Sequence, residues 1–167
     1  ILIRLESRGP ALFRQTRVGH HRQPFVLLKF RTMRQGSEKE DIYTRGNDSR
    51  ITRLGAFLRK VRLDELPQLW NVLKGEMSLV GPRPYLAQHD YLFQRDYKAY
   101  RVRQFVKPGV TGPAQCRGLR GEFTDPELVR RRIEMDFEYV GSWSIWKDMG
   151  IVLRTVVQVL FPPRSAY

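Results

Sequence analysis

Two adjacent acidic residues, Asp64 and Glu65, stand in a stretch of the chain that is otherwise rich in arginine. Arg59 and Arg62 precede the pair, and the turn sequence Gly-Pro-Arg-Pro at residues 81–84 closes the stretch. This combination suits phosphoryl transfer, because a carboxylate can attack phosphorus or hold a metal ion while guanidinium groups neutralise phosphate oxygens.

The acidic pair also has a purely structural interpretation, which is capping of a helix predicted over about residues 65–74. Aspartate is a favoured N-cap and glutamate is common in the first turn, and each stabilises a helix by about 1 kcal/mol or less. A helix N-terminus and nearby arginines also lower the pKa of a carboxylate, which predicts an ionised side chain at neutral pH. Capping and catalysis are therefore compatible, and the pair alone does not separate them.

Three further basic residues, in two segments, are candidates for phosphate contacts. Arg83 lies between two prolines, whose restricted backbone suits a rigid phosphate clamp, with an ordinary turn as the alternative. Lys29 and Arg31 come at the end of a predicted strand and are followed by the hydroxyl of Thr32. A strand end is a common place for ligand contacts, although a solvated strand end fits the same residues.

The composition predicts one basic domain over residues 1–167. The formal net charge of +13, from 30 Lys and Arg against 17 Asp and Glu, indicates an anionic partner. Nucleic acid, an acidic membrane surface and a diphosphate substrate all satisfy that charge. The single cysteine, Cys116, excludes an internal disulfide and is expected to be a small, partly buried residue.

The fold class predicted from the pattern is α+β: a compact, mainly helical domain with a small antiparallel β-hairpin and interfacial amphipathic helices. The hairpin strands are expected at residues 11–18 and 24–31. A polar stretch over 35–50 predicts a mobile loop, followed by a helix over about 50–61 that Asp48 or Ser49 caps.

The second half of the chain predicts three more helices. Residues 86–104 have a helical pattern with many charges, and a Pro- and Gly-rich break follows at 107–113. Asp125 and Pro126 have the order of an N-cap and a first helical residue. The helix that they begin has one apolar stripe, formed by Val129, Ile133, Phe137 and Val140.

A last predicted helix, over about residues 144–160, is rich in large apolar side chains. Lys147, Asp148 and Arg154 interrupt it, and such charges oppose a helix that crosses a bilayer. A helix in the plane of a membrane interface fits tryptophan at one end and basic residues that reach headgroups. An ordinary buried C-terminal helix is the alternative.

Several long motifs in one order resemble the bacterial sugar transferase family, the monotopic polyprenyl-phosphate phosphoglycosyl transferases. The resemblance covers nearly the whole chain, and its motifs stand at residues 5–10, 13–15, 29–33, 63–72, 77–84, 107–112 and 143–148. It implies transfer of a sugar-1-phosphate from a nucleotide diphosphosugar to a polyprenyl phosphate, usually undecaprenyl phosphate. It also implies Mg²⁺ and a two-step route through a covalent intermediate.

The resemblance assigns roles residue by residue. Asp64 matches the family's nucleophile, and Glu65 matches its acidic partner in magnesium binding and in proton transfer at the acceptor. Lys29, Arg59 and Arg83 match basic positions around the diphosphate. Asp136 matches an acidic position near the site, with a solvent-facing helix carboxylate as the alternative.

The resemblance further implies a place on the cytoplasmic face of the bacterial inner membrane, in contact with anionic lipids. Family members carry an N-terminal membrane re-entrant helix, and this sequence is expected to start just after it. The loop at residues 112–118 departs from the family pattern. Residues 120–122 and the helix after them resemble members that start exopolysaccharides, which often use UDP-glucose or UDP-galactose.

Two other classes of function compete with the enzyme. A basic nucleic-acid-binding module explains the charge, but it leaves the acidic pair and the Gly-Pro-Arg-Pro turn without a role. The chain has no RNP-like aromatic motif, zinc spacing or helix-turn-helix pattern, so no nucleic acid partner is expected. A catalytically silent membrane scaffold is the third class, and self-association into a homodimer stays open.

Overall fold

The computed structural model describes residues 1–36, 48–119 and 125–161. Most of the loop predicted over 35–50 lies outside the described residues, and so do residues 120–122. Within the described part the fold is α+β and mainly helical, as the sequence predicts.

The predicted hairpin is confirmed. Strands β1 (Leu12–Val18) and β2 (Pro24–Phe30) pair in antiparallel register, with Phe13 opposite Lys29. Phe25 and Leu27 on β2 are buried and pack with Met77, whereas alternate residues of the strand are exposed. The hairpin thus shows one face to the core and carries Lys29 at its end.

The first helices lie around the end of β2. Helix α1 (Leu2–Glu6) comes before the hairpin, and α2 (Arg53–Lys60) follows it. The predicted cap of α2 is wrong, because Thr52 caps it by accepting a hydrogen bond from the amide of Gly55. Helix α2 begins late because residues 51 and 52 pair in extended conformation with residues 33 and 32.

The helix predicted over 65–74 is interrupted. Leu63–Glu65 form one 3₁₀ turn, called here the acidic turn, and α3 covers only Gln68–Leu73. Pro67 lies at the N-cap position of α3, where its missing N–H removes no intrahelical hydrogen bond. The helix predicted over 86–104 is also divided, into α4 (Ala87–Asp96) and a 3₁₀ helix (Lys98–Phe105), because Tyr97 is extended.

A short parallel pair that was not predicted lies directly before the Gly-Pro-Arg-Pro turn. Strand β3 (Ser78–Val80) pairs with β4 (Gly109–Thr111). Gly81 packs against the backbone of Gly109 so closely that a Cβ on Gly109 would lie 2.1 Å from the Gly81 nitrogen. This contact brings the Gly-Pro-Arg-Pro turn next to the Pro- and Gly-rich break.

The last two helices follow the prediction at their N-termini. Helix α5 (Pro126–Gly141) is capped by Asp125, and α6 (Ile145–Leu160) is capped by Ser144. The predicted apolar stripe of α5 is wrong at Phe137, which is 47% exposed, while its neighbour Asp136 is 2% exposed. Among the described residues, no helix combines the length and the apolar character needed to span a membrane.

In the described part of the chain, three groups of buried side chains form the core. The largest joins α4, the 3₁₀ helix at 98–105 and α5, and it consists of Tyr85, Phe93, Tyr100, Val129 and Ile133. A second lies under α6 and includes Cys116, which is more deeply buried than expected, at 4% exposure.

Candidate active site

The acidic turn has an unusual start. Arg62 has a left-handed backbone, with φ of 58°, and its carbonyl accepts a hydrogen bond from the amide of Glu65 at 3.3 Å. Neither Asp64 nor Glu65 caps a helix, since no side-chain cap is formed at the start of the turn or of α3. The capping interpretation of the pair is therefore wrong for this fold, and both carboxylates are left for other contacts.

Glu65 is the point where three separate segments meet. Its Oε1 accepts hydrogen bonds from Lys29 Nζ at 2.9 Å and from Arg83 Nη1 at 3.2 Å. The side chains of Glu65 and Lys29 are 12% and 18% exposed, whereas that of Arg83 is 39% exposed. The end of β2, the acidic turn and the Gly-Pro-Arg-Pro turn are thus joined at one half-buried carboxylate, with Arg83 on the open side.

Asp64 is half-buried, and its carboxylate has no hydrogen-bond partner in the part of the chain that the structure describes. Burial raises its pKa above the usual value; Lys29, Arg59 and Arg83 oppose this rise, whereas the negative charge of Glu65 adds to it. The predicted lowering of this pKa is therefore wrong. The arginines are present as expected, but the desolvation of the carboxylate outweighs them.

The basic groups around the pair are held in place by further contacts. Arg59, in the last turn of α2, donates from Nε to the hydroxyl of Thr32 at 2.8 Å. Burial lowers the pKa of Lys29, although Glu65 opposes the change. Burial acts to lower the pKa of Arg83, but the charge and hydrogen bond of Glu65, together with the charges of Tyr85 and Asp64, raise it above its usual value. Arg83 is therefore a fixed positive charge at this site.

A buried ion pair supports Arg83 from behind. Arg103 Nε donates to Asp136 Oδ2 at 2.8 Å, and Arg103 Nη2 donates to the backbone carbonyl of Arg83 at 2.5 Å. The Arg103 guanidinium also lies over the rings of Tyr85 and Tyr100, 4.3 and 4.8 Å from their centroids. Asp136 thus orients the arginine that holds the Gly-Pro-Arg-Pro turn.

Asp136 differs from its predicted environment in one respect. The solvent-facing alternative is wrong, because the Asp136 side chain is almost completely buried. That burial raises the pKa of Asp136, and the charge of Arg103 opposes the rise. Asp136 accepts its hydrogen bond from Arg103, so its link to Arg83 is indirect. The sequence indicated the carboxylate of Asp136, but not that Arg103, 33 residues earlier, connects it to Arg83.

Arg31 is not brought to the acidic pair. Its buried guanidinium donates to the backbone carbonyls of Ser7 at 2.6 Å and of Ile3 and Gly9 at 3.4 Å, and also to that of Arg8. The predicted substrate contact for Arg31 is therefore corrected to a structural one. It anchors the N-terminal segment to the end of β2.

Large apolar side chains are exposed on two helices. On α6 only Ile151 is buried, so the alternative of a buried C-terminal helix is wrong. Its exposed face, with the residues that flank the helix, consists of Trp143, Ile145, Trp146, Met149, Val152, Leu153, Val156, Val157, Leu160 and Phe161. A second exposed set follows the acidic turn directly and was not predicted: Leu66, Leu69, Trp70 and Leu73.

The carboxylates of Asp64 and Glu65 suit a magnesium ion that is bound partly by substrate and water better than a metal ion bound only by protein side chains. Among the described residues, no group of three or more His, Cys, Asp or Glu side chains is placed to hold a metal ion. Mg²⁺ commonly binds through one or two carboxylates, with water and substrate phosphates completing its shell. Asp64, whose carboxylate has no protein partner in the described part, fits such a role beside Glu65.

Comparisons with known proteins agree on one family. The profile of the bacterial sugar transferases matches residues 1–162. The UDP-glucose:undecaprenyl-phosphate glucose-1-phosphate transferase of Caulobacter vibrioides is 50% identical, over 96% of this chain and 60% of its own length. The protein of that name from Escherichia coli is 44% identical, over 100% of this chain and 36% of its own length.

A relative with another sugar in its name is as similar. The UDP-N-acetylgalactosamine-undecaprenyl-phosphate N-acetylgalactosaminephosphotransferase of Aeromonas hydrophila is 44% identical, over 96% of this chain and 38% of its own length. The chain thus spans between about a third and three fifths of the length of these three curated relatives.

Proposed function

The chain belongs to the bacterial sugar transferase family, and from that premise we propose that it transfers a sugar-1-phosphate from a nucleotide diphosphosugar to a polyprenyl phosphate. The observation that carries the proposal is the meeting of Lys29 and Arg83 on Glu65, next to the unpartnered carboxylate of Asp64. Cations from two segments surround a carboxylate that is free to react. This is the arrangement that attack on a diphosphate requires.

In the first half-reaction, a carboxylate oxygen of Asp64 attacks the β-phosphorus, which bears the sugar. The bond between that phosphorus and the bridging oxygen breaks, and the nucleoside monophosphate leaves with the electron pair. An acyl-phosphate then joins Asp64 to the phosphosugar. Arg83, which is partly exposed beside Glu65, neutralises the phosphate oxygens, and Lys29 and Arg59 lower the charge repulsion around the nucleophile.

In the second half-reaction, an oxygen of the polyprenyl phosphate attacks the same phosphorus. The acyl-phosphate bond breaks, the carboxylate of Asp64 is restored, and the product is a polyprenyl diphosphosugar. Glu65 takes the proton of an acceptor that arrives as the monoanion. Its hydrogen bonds to Lys29 and Arg83 couple that proton transfer to the cations that hold the phosphate.

Magnesium is part of the proposal. Asp64 and Glu65 are the residues that would hold the ion, together with substrate oxygens. When bound, the ion neutralises charge on the diphosphate.

The proposed donor is a UDP-hexose. The curated relatives of similar identity differ in the sugar that they name, one glucose and another N-acetylgalactosamine, so the choice of hexose is left to a donor panel. The proposed acceptor is undecaprenyl phosphate, the polyprenyl phosphate in the names of both relatives. Residues 120–122, which favoured glucose or galactose, lie outside the described residues.

The exposed apolar face of α6 supports a place at a membrane interface, and the interface proposed is the cytoplasmic face of the inner membrane. The helix carries two exposed basic side chains, Lys147 and Arg154, beside that face. An interfacial helix with aromatic ends and basic residues binds anionic lipid surfaces in this way. The lipid acceptor would then reach Asp64 from the membrane surface.

Turnover with purified components tests the proposal. The full-length protein in nanodiscs with undecaprenyl phosphate, a labelled UDP-hexose and Mg²⁺ should release UMP and transfer label to the lipid fraction. Asp64→Asn should do neither, because an amide does not form the acyl-phosphate. Absence of transfer with every UDP-hexose of a donor panel, or equal transfer by the variant, would refute it.

A further inference from the structure

Helix α6 and the acidic turn are joined by one side chain. Gln158, in the last turn of α6, accepts a hydrogen bond on Oε1 from Arg62 Nη2 at 2.8 Å. Its Nε2 donates to the backbone carbonyl of Cys116 at 2.6 Å. The carbonyl end of the amide thus contacts Arg62, directly before the acidic turn, and the NH₂ end contacts the core segment beneath α6.

Arg62 is the residue that sets the direction of the acidic turn. It is one of only three described residues other than glycine with positive φ, a conformation that a side chain disfavours. Its N–H donates to Arg59 and its carbonyl accepts from Glu65. A change in the backbone of Arg62 would therefore move Asp64 and Glu65 relative to Lys29 and the other cations.

The guanidinium of Arg62 has few other contacts. Its Nη1 is buried and has no hydrogen-bond partner within the described ranges. Burial lowers the pKa of Arg62, and the charges of Glu65 and Asp64 oppose that change, so the group lies within electrostatic range of both carboxylates. Within the described residues, the hydrogen bond to Gln158 is the one side-chain hydrogen bond that fixes the guanidinium there.

We propose that Gln158 is a positioning residue for this active site, which holds Arg62 and thereby fixes the acidic turn against α6. Gln158 touches no reacting group; it acts through Arg62. The inference rests on the proposed function, because the quantity that it predicts is the reactivity of Asp64. It also means that a displacement of α6, whose outer face is the proposed lipid contact, is transmitted to the nucleophile.

The test uses Gln158→Leu in the full-length protein in nanodiscs, given UDP-hexose without acceptor. The rate of phosphosugar adduct formation should fall about ten- to a hundred-fold, because small displacements of a nucleophile have effects of this size. The donor concentration that gives half the maximal rate should not change, because Gln158 does not bind the donor. Arg62→Asn, which keeps a residue tolerant of positive φ but removes the guanidinium, should reproduce the loss.

Thr155→Val is the matched control. Thr155 lies one turn before Gln158 on α6 and joins the same helix to β4, through a 2.7 Å hydrogen bond between its hydroxyl and that of Thr111. Loss of this hydrogen bond loosens α6 without touching Arg62, so the adduct should form at nearly the wild-type rate.

A double variant tests whether the two residues act together. When Gln158→Leu is added to Arg62→Asn, the rate of adduct formation should fall no further than in Arg62→Asn alone.

The outcomes separate this inference from the proposed function. If wild-type protein forms the adduct and either Gln158→Leu or Arg62→Asn forms it equally fast, the positioning role is refuted while the reaction stands. Equal losses in Gln158→Leu and Thr155→Val would also refute it, since a general loosening of α6 would then explain both. If the wild-type protein forms no adduct, the proposed function itself fails.

Discussion

The buried ion pair behind Arg83 gives the most quantitative prediction. The side chains of Arg103 and Asp136 are 6% and 3% exposed, and their hydrogen bond is 2.8 Å long. Asp136→Asn leaves the Arg103 charge buried without its counter-ion, which costs about 3–5 kcal/mol of unfolding free energy. In a domain of this size each kcal/mol lowers Tm by about 2–4 °C, so we expect a drop of about 6–20 °C.

The same helix supplies the control. Glu134 on α5 pairs with Arg130 at 3.0 Å, but these side chains are 51% and 54% exposed. An exposed pair stabilises a fold by about 1 kcal/mol or less, so Glu134→Gln should leave Tm within a few degrees of the wild-type value. Thermal unfolding followed by circular dichroism measures both variants under the same conditions.

The ion pair should matter for activity as well as for stability. Arg103 holds the carbonyl of Arg83, so Asp136→Asn should also slow adduct formation at temperatures where the variant is fully folded. A loss of about ten-fold or more is expected from a displaced phosphate-binding group. Equal Tm values for Asp136→Asn and Glu134→Gln would refute the reasoning, because the burial of the pair would then have no energetic consequence.

Three more predictions concern the site and the membrane face. Arg83→Lys should lower kcat/KM by about a hundred-fold, because lysine lacks the planar fork that binds phosphate oxygens; wild-type kinetics would contradict this. The raised pKa of Asp64 favours the protonated form in the folded state, so stability falls as pH rises from the unfolded pKa through the folded one. Asp64→Asn should therefore raise Tm at pH 7 and lose that gain in acid, and an unchanged melting profile would count against it. Arg154→Glu should weaken binding to anionic liposomes about thirty-fold, at about 1 kcal/mol for each of the two charge units changed, and unaltered co-sedimentation would argue against an interfacial α6.

The sequence pattern predicted the elements whose formation depends on residues close together in the chain. The hairpin, the Asp125 cap and the extent of α6 follow from alternation, capping chemistry and apolar content within a few residues. The cap of α2 was wrong because pairing with residues 32 and 33 keeps residues 51 and 52 extended. The parallel pair β3–β4 was missed because its three-residue strands are too short to show a period.

The sequence predicted those site residues whose role follows from their residue type. It did not predict the properties that depend on contacts between residues far apart in the chain. Asp64, Glu65, Lys29 and Arg83 are brought together as the motifs indicated. The direction of the Asp64 pKa was wrong, since a sequence shows which charges are near but not how much water is removed. Arg31 was misplaced for a related reason, because backbone carbonyls that attract a guanidinium leave no signature in the sequence.

Mapping of the phosphosugar on the protein tests the central claim most directly. Wild-type full-length protein is incubated with donor labelled with ³²P in the β-phosphate, quenched without acceptor, digested and sequenced by mass spectrometry. The account predicts one labelled peptide with the phosphosugar on Asp64, and loss of the label once undecaprenyl phosphate is added before the quench. Turnover by a protein whose Asp64 never carries the label would contradict it.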